Sequence, residues 1–270
     1  MTLAADIATA LASDAPDTAR DMATARVKSH PTDANARMFL AELCVIEGNL
    51  DRAETQARLA ATAAPEAAVG ISVFRQHLRG LHARQEWWHT GAMPTFPNGP
   101  SDLSTLALRL NVALRDGCGD AARAALDALD DARGLQCATW NGTPVEDFRD
   151  LDDRLPHAIE AITGGGNYLW LDFDTIADLT FQPATRPLDA ILRRARVSLH
   201  DGSVADIRMP ALYPDPQTPA ESLGRSTDFQ ELPGGLIAAR GLRSWLVGDD
   251  VQTCHDAQTI TFAAPQKDAA

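Results

Sequence analysis

Alanine and proline recur at an offset of 34 residues in the first quarter of the chain: Pro31 and Pro65 are separated by that step, and so are Ala19 and Ala53. Tetratricopeptide arrays repeat at about 34 residues, each unit being a helical hairpin whose small side chains let the paired helices approach closely. Gly48, Ala53, Ala60 and Pro65 fit one such unit well, and the unit before it fits in part. Between residue 3 and about residue 133 apolar side chains keep helical spacing. Turns are signalled at Asp14-Ala15-Pro16, His30-Pro31-Thr32-Asp33, Gly48-Asn49, Ala64-Pro65 and Asp116-Gly117. A long amphipathic helix is predicted over 74–89, a loop over 93–100 and a further hairpin over 103–129.

Repeats of this kind stack only on their neighbours, which leaves a concave groove suited to a partner's helix or extended peptide. Candidate partner-binding residues are Arg37, Leu40, Leu43, Arg52 and Gln56. For the leucines the plainer account is core, since Leu40, Leu43, Val45 and Ile46 fall on or beside the predicted seam while Arg52, Glu54, Gln56 and Arg58 face water. Trp87 and Trp88 are neighbours, and adjacent aromatics on a helix cannot both face one core. One of them is expected to cap a neighbouring helix or to join an exposed contact patch.

The texture changes after residue 137. Thr143-Pro144-Val145-Glu146 carries an N-cap hydroxyl, a proline at the first helical position and a Glu three residues after the cap, which predicts a helix start. Phe148, Leu151, Leu155, Ile159 and Ile162 then recur at steps of three and four. Pro156 is expected to kink that helix and Gly164-Gly165-Gly166 to end it. A strand follows over 168–173, with Tyr168, Trp170 and Asp172 on one face and Leu169, Leu171 and Phe173 on the other. A short helical turn is expected between Pro183 and Asp189. Residues 196–200 and 203–207 flank Asp201-Gly202 as a β-hairpin, and residues 213–219 are too proline-rich for a strand. Further short strands are predicted over 226–230, 236–239, 242–247 and 259–262, with a frayed tail over 264–270. The fold class is therefore α+β: a tetratricopeptide-like helical domain over 1–137, then a smaller mixed domain over 138–270 with an antiparallel sheet or partly open barrel.

At 270 residues the chain can bury two modest cores, and its net charge of −13 argues against nucleic acid or an anionic lipid surface as the main partner. A basic partner surface suits it better. No apolar run approaches the roughly 18 residues of a membrane span, and the amino terminus, with Asp6 and no basic run before an apolar stretch, does not resemble a signal peptide. Cys44, Cys118, Cys137 and Cys254 are scattered without a C-x-x-C pair, which suggests reduced thiols. Cys254-His255 is the one adjacent pair of soft ligands, and neighbours on a strand point apart, so no metal site is expected there.

Asp147, Asp150, Asp152 and Asp153 form the densest group of candidate chemistry. On the predicted helix Asp150 would pair with Arg154 and Arg149 with Asp153, each four residues apart, which makes a structural ion-pair network the simpler reading. The alternative is a carboxylate- or metal-dependent hydrolase using Asp150, Asp152 and Glu160, although the spacing of a calcium loop is missing. The glycine triplet lacks a following Lys-Ser/Thr for phosphate binding. No nucleophile motif, metalloprotease motif or nucleotide fingerprint is present. Neither a cofactor nor a metal is expected.

A set of short motifs in fixed order carries a stronger signal: Asp150-x-Asp152-x-Arg154-Leu155-Pro156, Glu160-Ala161-Ile162, Tyr168-x-Trp170, Arg186-Pro187-Leu188-Asp189, Asp201-Gly202, Pro210-x-x-Tyr213-Pro214, Arg225-x-Thr227-Asp228-Phe229 and Gly241-x-Arg243-x-x-Leu246. In them the chain resembles the ImpE family, also called SciE or TagJ, of bacterial type VI secretion systems. The resemblance implies that Asp150, Asp152, Arg154, Trp170, Tyr213, Arg225 and Arg243 are structural motif residues. It further implies a cytoplasmic, non-enzymatic adaptor that binds the N-terminal helix of the small sheath subunit and, through it, is associated with the ClpV-type ATPase. A generic peptide-binding repeat scaffold is the blander alternative.

Overall fold

The computed structural model describes residues 2–264; of the predicted frayed tail, only Ala264 lies inside them. Seven helices come first: α1 (Leu3–Ala12), α2 (Pro16–Ser29), α3 (Ala34–Ile46), α4 (Leu50–Ala63), α5 (Ala68–Thr90), α6 (Asp102–Arg115) and α7 (Gly119–Arg133). Side-chain oxygens of Thr2, Asp33, Asn49 and Ser101 cap the starts of α1, α3, α4 and α6, each accepting from a backbone N–H three residues on. Ala19 and Ala53, one repeat apart, are both fully buried, as are Ala57 and Ala60. Small side chains at these positions let α1 to α4 stack as antiparallel pairs.

Strands begin at residue 138: β1 (Ala138–Trp140), β2 (Thr143–Val145), β3 (Phe148–Asp150), β4 (Ala158–Thr163), β5 (Tyr168–Asp172) and β6 (Ile176–Phe181). The one-turn helix α8 (Leu188–Ile191) leads into β7 (Leu192–Leu199) and β8 (Val204–Pro210). After α9 (Pro219–Ser222) come β9 (Thr227–Leu232), β10 (Leu236–Gly241), β11 (Ser244–Val247), β12 (Asp250–Thr253) and β13 (Thr259–Phe262). Eight of these strands form one sheet in the order β2-β1-β13-β6-β7-β8-β4-β5; β10-β9 and β12-β11-β3 form two smaller ones, and every pairing is antiparallel. The fold is α+β, with an open sheet rather than a barrel.

The helix expected over 144–162 is not formed. Asn141 and Gly142 both take positive φ (49° and 87°) and turn β1 back onto β2, with Trp140 opposite Thr143. An Asn-Gly pair is a strong two-residue hairpin signal, and it overrides the cap-like Thr143-Pro144 beside it. Residues 158–163 pair with β5 instead of coiling, and the Gly164–166 stretch is the turn of that hairpin, Gly166 at φ 80°. The helical spacing of Phe148, Leu155, Ile159 and Ile162 was the coincidence of two buried strands and a loop. The hairpin at Asp201-Gly202 forms, but with Ser198 opposite Val204 and His200 drawn into the turn, one residue off the register that a two-residue Asp-Gly turn between 200 and 203 would set.

Both faces of the large sheet are covered. On β5, Tyr168 and Trp170 join the core shared with the helices, whereas Leu169 and Leu171 join a second core beneath the three-stranded sheet, where Phe148, Trp245, Phe173 and Phe262 pack ring against ring. The first core runs without a break from Ile7 and Leu40 to Trp170, Leu188 and Leu212, across both architectures. At its centre Trp87 of α5 meets Trp170 edge to face, centroids 4.8 Å apart. About two turns earlier, Gly80 brings α5 so near to β4 that a Cβ would overlap the Ile162 side chain. Trp170 is 2% exposed, so Trp170→Ala is expected to lower unfolding free energy by about 3–5 kcal/mol. Denaturant unfolding checks this, and a near-wild-type midpoint would mean that the helices do not depend on this contact.

Candidate functional site

Where α5 crosses β4 and β5, the motif residues scattered through the mixed half come together. Glu160 of β4 is fully buried and accepts five hydrogen bonds from four side chains. Arg84 of α5 donates from Nε and Nη2 at 2.8 Å each, Trp88 Nε1 at 2.9 Å and Tyr168 Oη at 2.6 Å, and Arg243 Nη2 completes the set. Arg243 is 1% exposed and donates its other nitrogen, Nη1, to Asp150 at 2.6 Å. Its guanidinium lies 4.9 Å over the Tyr213 ring. The Tyr213 hydroxyl is 2.7 Å from Asp150 Oδ1 and from the Ser244 carbonyl, and Trp170 Nε1 donates to Tyr168 Oη at 2.8 Å.

Electrostatics follow from this geometry. Burial pushes the Glu160 acid up, but Arg84 and Arg243 with their hydrogen bonds outweigh it and hold its pKa at about 2. For Asp150, burial outweighs the single guanidinium beside it and the pKa is raised. Arg243 itself is pressed down by burial and held well above its ordinary value by Asp150 and Glu160.

The predicted pairing of Asp150 with Arg154 is corrected. Asp150 bonds Arg243, whereas Arg154 forks onto Asp152, two residues away, with Nε to Oδ1 at 2.8 Å and Nη2 to Oδ2 at 2.5 Å. Asp152 also accepts from the Ala239 amide at 3.1 Å. With no helix here, spacing by four has no meaning for that pair. Arg149 does reach Asp153 at 2.8 Å, but across a loop. The oxygens of Asp150, Asp152 and Glu160 are thus committed to arginine, tyrosine, tryptophan and amide donors, and a hydrolase built on them has no open carboxylate. Among the described residues no group of three His, Cys, Asp or Glu side chains is placed to hold a metal ion. Cys254 is buried, its thiol pushed up to about 12 by that burial, while His255 is exposed and bonds the Ala190 carbonyl.

Arg225 is placed elsewhere, at the end of α1. Its Nη2 donates to the Leu11 carbonyl at 2.7 Å and it pairs with Asp14, so it caps a helix C-terminus and ties the mixed half to the first helix. Of the groove candidates, Leu40 and Leu43 are 2% and 3% exposed and belong to the shared core. This corrects their assignment to a partner surface, because α8 packs on α3 and the shared core takes up the face that a free array would leave open. Arg37 bonds the Pro31 carbonyl and Gln56 at 2.9 Å each, and Arg52 reaches Thr24 at 3.3 Å. Those three residues stitch helices together on the outer side.

The open concave surface is a cleft of about 320 Å³ lying over the buried cluster. One wall is the α3–α4 turn with Ile46 and Leu50, the next is α5 with Leu81 and Trp88, and the third is the loop with Leu212 and Pro216. Arg84 and Tyr213 belong to both the cleft and the cluster beneath it. Trp88 is the tryptophan that the spacing expected at a boundary: half-buried, its Nε1 on Glu160 and its ring 4.7 Å from the Arg154 guanidinium. Sequence reasoning missed Arg84, which lies in an amphipathic helix without any local mark.

A group whose pKa is depressed in the folded state stabilises fully above its ordinary value and loses that contribution as pH falls through the folded value. For Glu160 the window runs from the ordinary 4.5 down to about 2. Across it the stability advantage of the wild type over Glu160→Gln is expected to shrink by about 3 kcal/mol. Denaturant titrations of both proteins at a series of pH values check this; a constant difference would mean that Glu160 is not held as an ion.

Residues 142–261 match the family model of the ImpE protein. The type VI secretion system accessory component TagJ of Pseudomonas aeruginosa is 24% identical over 220 residues, which cover 80% of this chain and 77% of that protein. The crystal structure of protein VPA1032 from Vibrio parahaemolyticus superposes with a TM-score of 0.88 at 24% identity, covering 96% of this chain and 98% of that one, a likeness of fold. Asp150, Glu160, Trp170, Tyr213 and Arg243, the residues that build the joint, all fall inside the matched segment. The segment 142–261, somewhat under half of the chain, is thus the part that carries the ImpE family's sequence pattern.

Proposed function

We propose that this chain is an accessory component of a type VI secretion apparatus, a non-enzymatic adaptor that takes the N-terminal helix of the small sheath subunit. Through that helix it links the sheath to the ClpV-type ATPase. The observation that carries this reading is the likeness to TagJ, which extends over 80% of the chain and therefore includes helices as well as sheet. No described helix is long and apolar enough to cross a membrane.

The chemistry of the cleft suits such a partner. Leu81, Trp88, Leu50 and Leu212 offer apolar seats for anchors at helical spacing, while Glu47 and Asp215 on the rim favour a basic residue beside them. The partner surface is thus moved from the seam of α3 to the cleft between the α3–α4 turn and α5. In this reading the helical unit, 1–137, supplies most of the contact and the mixed unit, 138–270, supplies the proline-rich wall and holds α5 in place.

Calorimetric titration with a synthetic peptide copying the N-terminal helix of the small sheath subunit from the same organism tests this. Micromolar or tighter binding is expected. It should be lost in Leu81→Glu and kept in Val112→Asp, on the exposed far face of α6. A folded protein that takes up no peptide would remove the sheath helix as partner; equal loss in both variants would remove the cleft.

A further inference from the structure

Arg193, the second residue of β7, is 9% exposed, and Arg193 and Arg243 are the two arginines classed as buried among the described residues. Arg243 meets two carboxylates. Arg193 meets none within ion-pair distance among the described residues, which is a costly position for a guanidinium. Burial presses its pKa down, and only Cys254 and Asp256 act against that from a distance.

Its surroundings hold it still. Nη1 donates to the Cys254 and Ala257 carbonyls, the latter at 3.1 Å, and the guanidinium carbon sits 4.2 Å over the Phe181 ring. The remaining edge, Nε and Nη2, has no acceptor among the described residues, yet neither atom is sealed from solvent. Two parallel N–H donors on one fixed edge match the two oxygens of a carboxylate.

That arginine lines a cavity of about 520 Å³, enclosed by the end of β6, the segment 182–184, α8 and the loop between β12 and β13. The other walls are largely apolar: Phe181, Pro183, Ala184, Ala190 and Ala257. Asp189 also borders it, but its oxygens are taken by the Thr185 amide and hydroxyl and by Arg208 at 2.9 Å, with Arg194 a further cation at 3.6 Å. His255 on the rim has Nε2 on the Ala190 carbonyl at 2.7 Å. The chemistry on offer is a desolvated cation at the end of an apolar pocket, separated from the cleft by the α8–β7 connection.

We propose that this cavity is a carboxylate-binding site that seats an apolar residue bearing a free carboxylate on the Nε–Nη2 edge of Arg193. The apolar body of the ligand packs against Phe181, Pro183 and Ala257, and the acid supplies the counter-ion that the fold withholds. Such a residue is either a small free acid or the last residue of a peptide. The site stands independently of the sheath-helix reading.

The test follows the Arg193 Nε–H resonance of the full chain by nitrogen-15 NMR during titration with N-acetyl-leucine, N-acetyl-leucinamide and an acetylated tetrapeptide ending in leucine. Saturable shifts are expected at Arg193 and in the 254–258 loop for both acids, with the amide weaker by roughly tenfold or more, the worth of a charge-assisted pair. Tighter binding of the tetrapeptide marks a chain end as the ligand, and tighter binding of N-acetyl-leucine marks a free acid. Arg193→Met removes both the charge and the fork, so it should abolish the discrimination between acid and amide. Because that change sits in a buried position, Ala184→Trp provides a second variant, on an exposed residue, that fills the pocket mouth and should abolish binding in a folded protein. Equal affinity for acid and amide, unchanged binding in Ala184→Trp, or no saturable shift with any of the three would overturn the proposal.

Discussion

A carboxylate buried without water is stable only when cations and donors reach it, and for Glu160 they come from distant parts of the chain. Arg84 lies 76 residues before it on a helix, and Arg243 lies 83 residues after it on the approach to a strand. Losing one partner of such a cluster leaves an uncompensated charge, at a cost of about 3–5 kcal/mol. Neither the helices nor the strands can therefore hold this interior alone. The contacts around it repeat the same arrangement: Trp87 against Trp170, Gly80 against Ile162, and Ser104 of α6 donating to Asp172 at 3.0 Å. Arg225 closes the structure at the far end by capping α1.

That architecture explains which parts of the fold were legible in the sequence. Helices α1 to α4 could be read because their caps and small residues act locally, and β5 could be read because its two faces differ, Tyr and Trp on one side and Leu on the other. The β7–β8 hairpin was announced by Asp201-Gly202. Residues 158–162, Ala-Ile-Glu-Ala-Ile, carry no alternation because both faces of β4 are buried, one under α5 and one over the second core. A strand of that kind is indistinguishable from a helix by period alone. The Asn141-Gly142 turn was a readable signal outweighed by the cap-like residues after it. As for the candidate site, the family motifs named Asp150, Tyr213 and Arg243 without saying that they meet, and Arg84 completes them from a helix where it looks like any solvent-facing arginine. Leu40 and Leu43 were placed at an interface because a bare repeat array leaves that face open, and here the rest of the chain fills it.

The cleft and the Arg193 cavity are two consequences of one packing arrangement. Docking α5 on the sheet leaves a gap between the α3–α4 turn and the 210–217 loop, floored by residues that the ionic cluster holds rigid. Running β7 directly out of α8 leaves Arg193 facing the loop between β12 and β13, fixed by carbonyls and an aromatic face but without an anion beside it among the described residues. The first surface offers apolar seats with an acidic rim and the second a single buried cation, so they select different chemistry. Both stand on backbone that the Glu160 cluster holds in place.

The account rests on the claim that helices and sheet fold as one cooperative body joined at Glu160. Native-state hydrogen exchange of the α3 and β4 amides, in the wild type and in Arg84→Met, tests it most directly. The account predicts that both sets open with the same free energy and that the variant lowers both by the same amount. Exchange in which α3 loses protection while β4 keeps it, or the reverse, would contradict it.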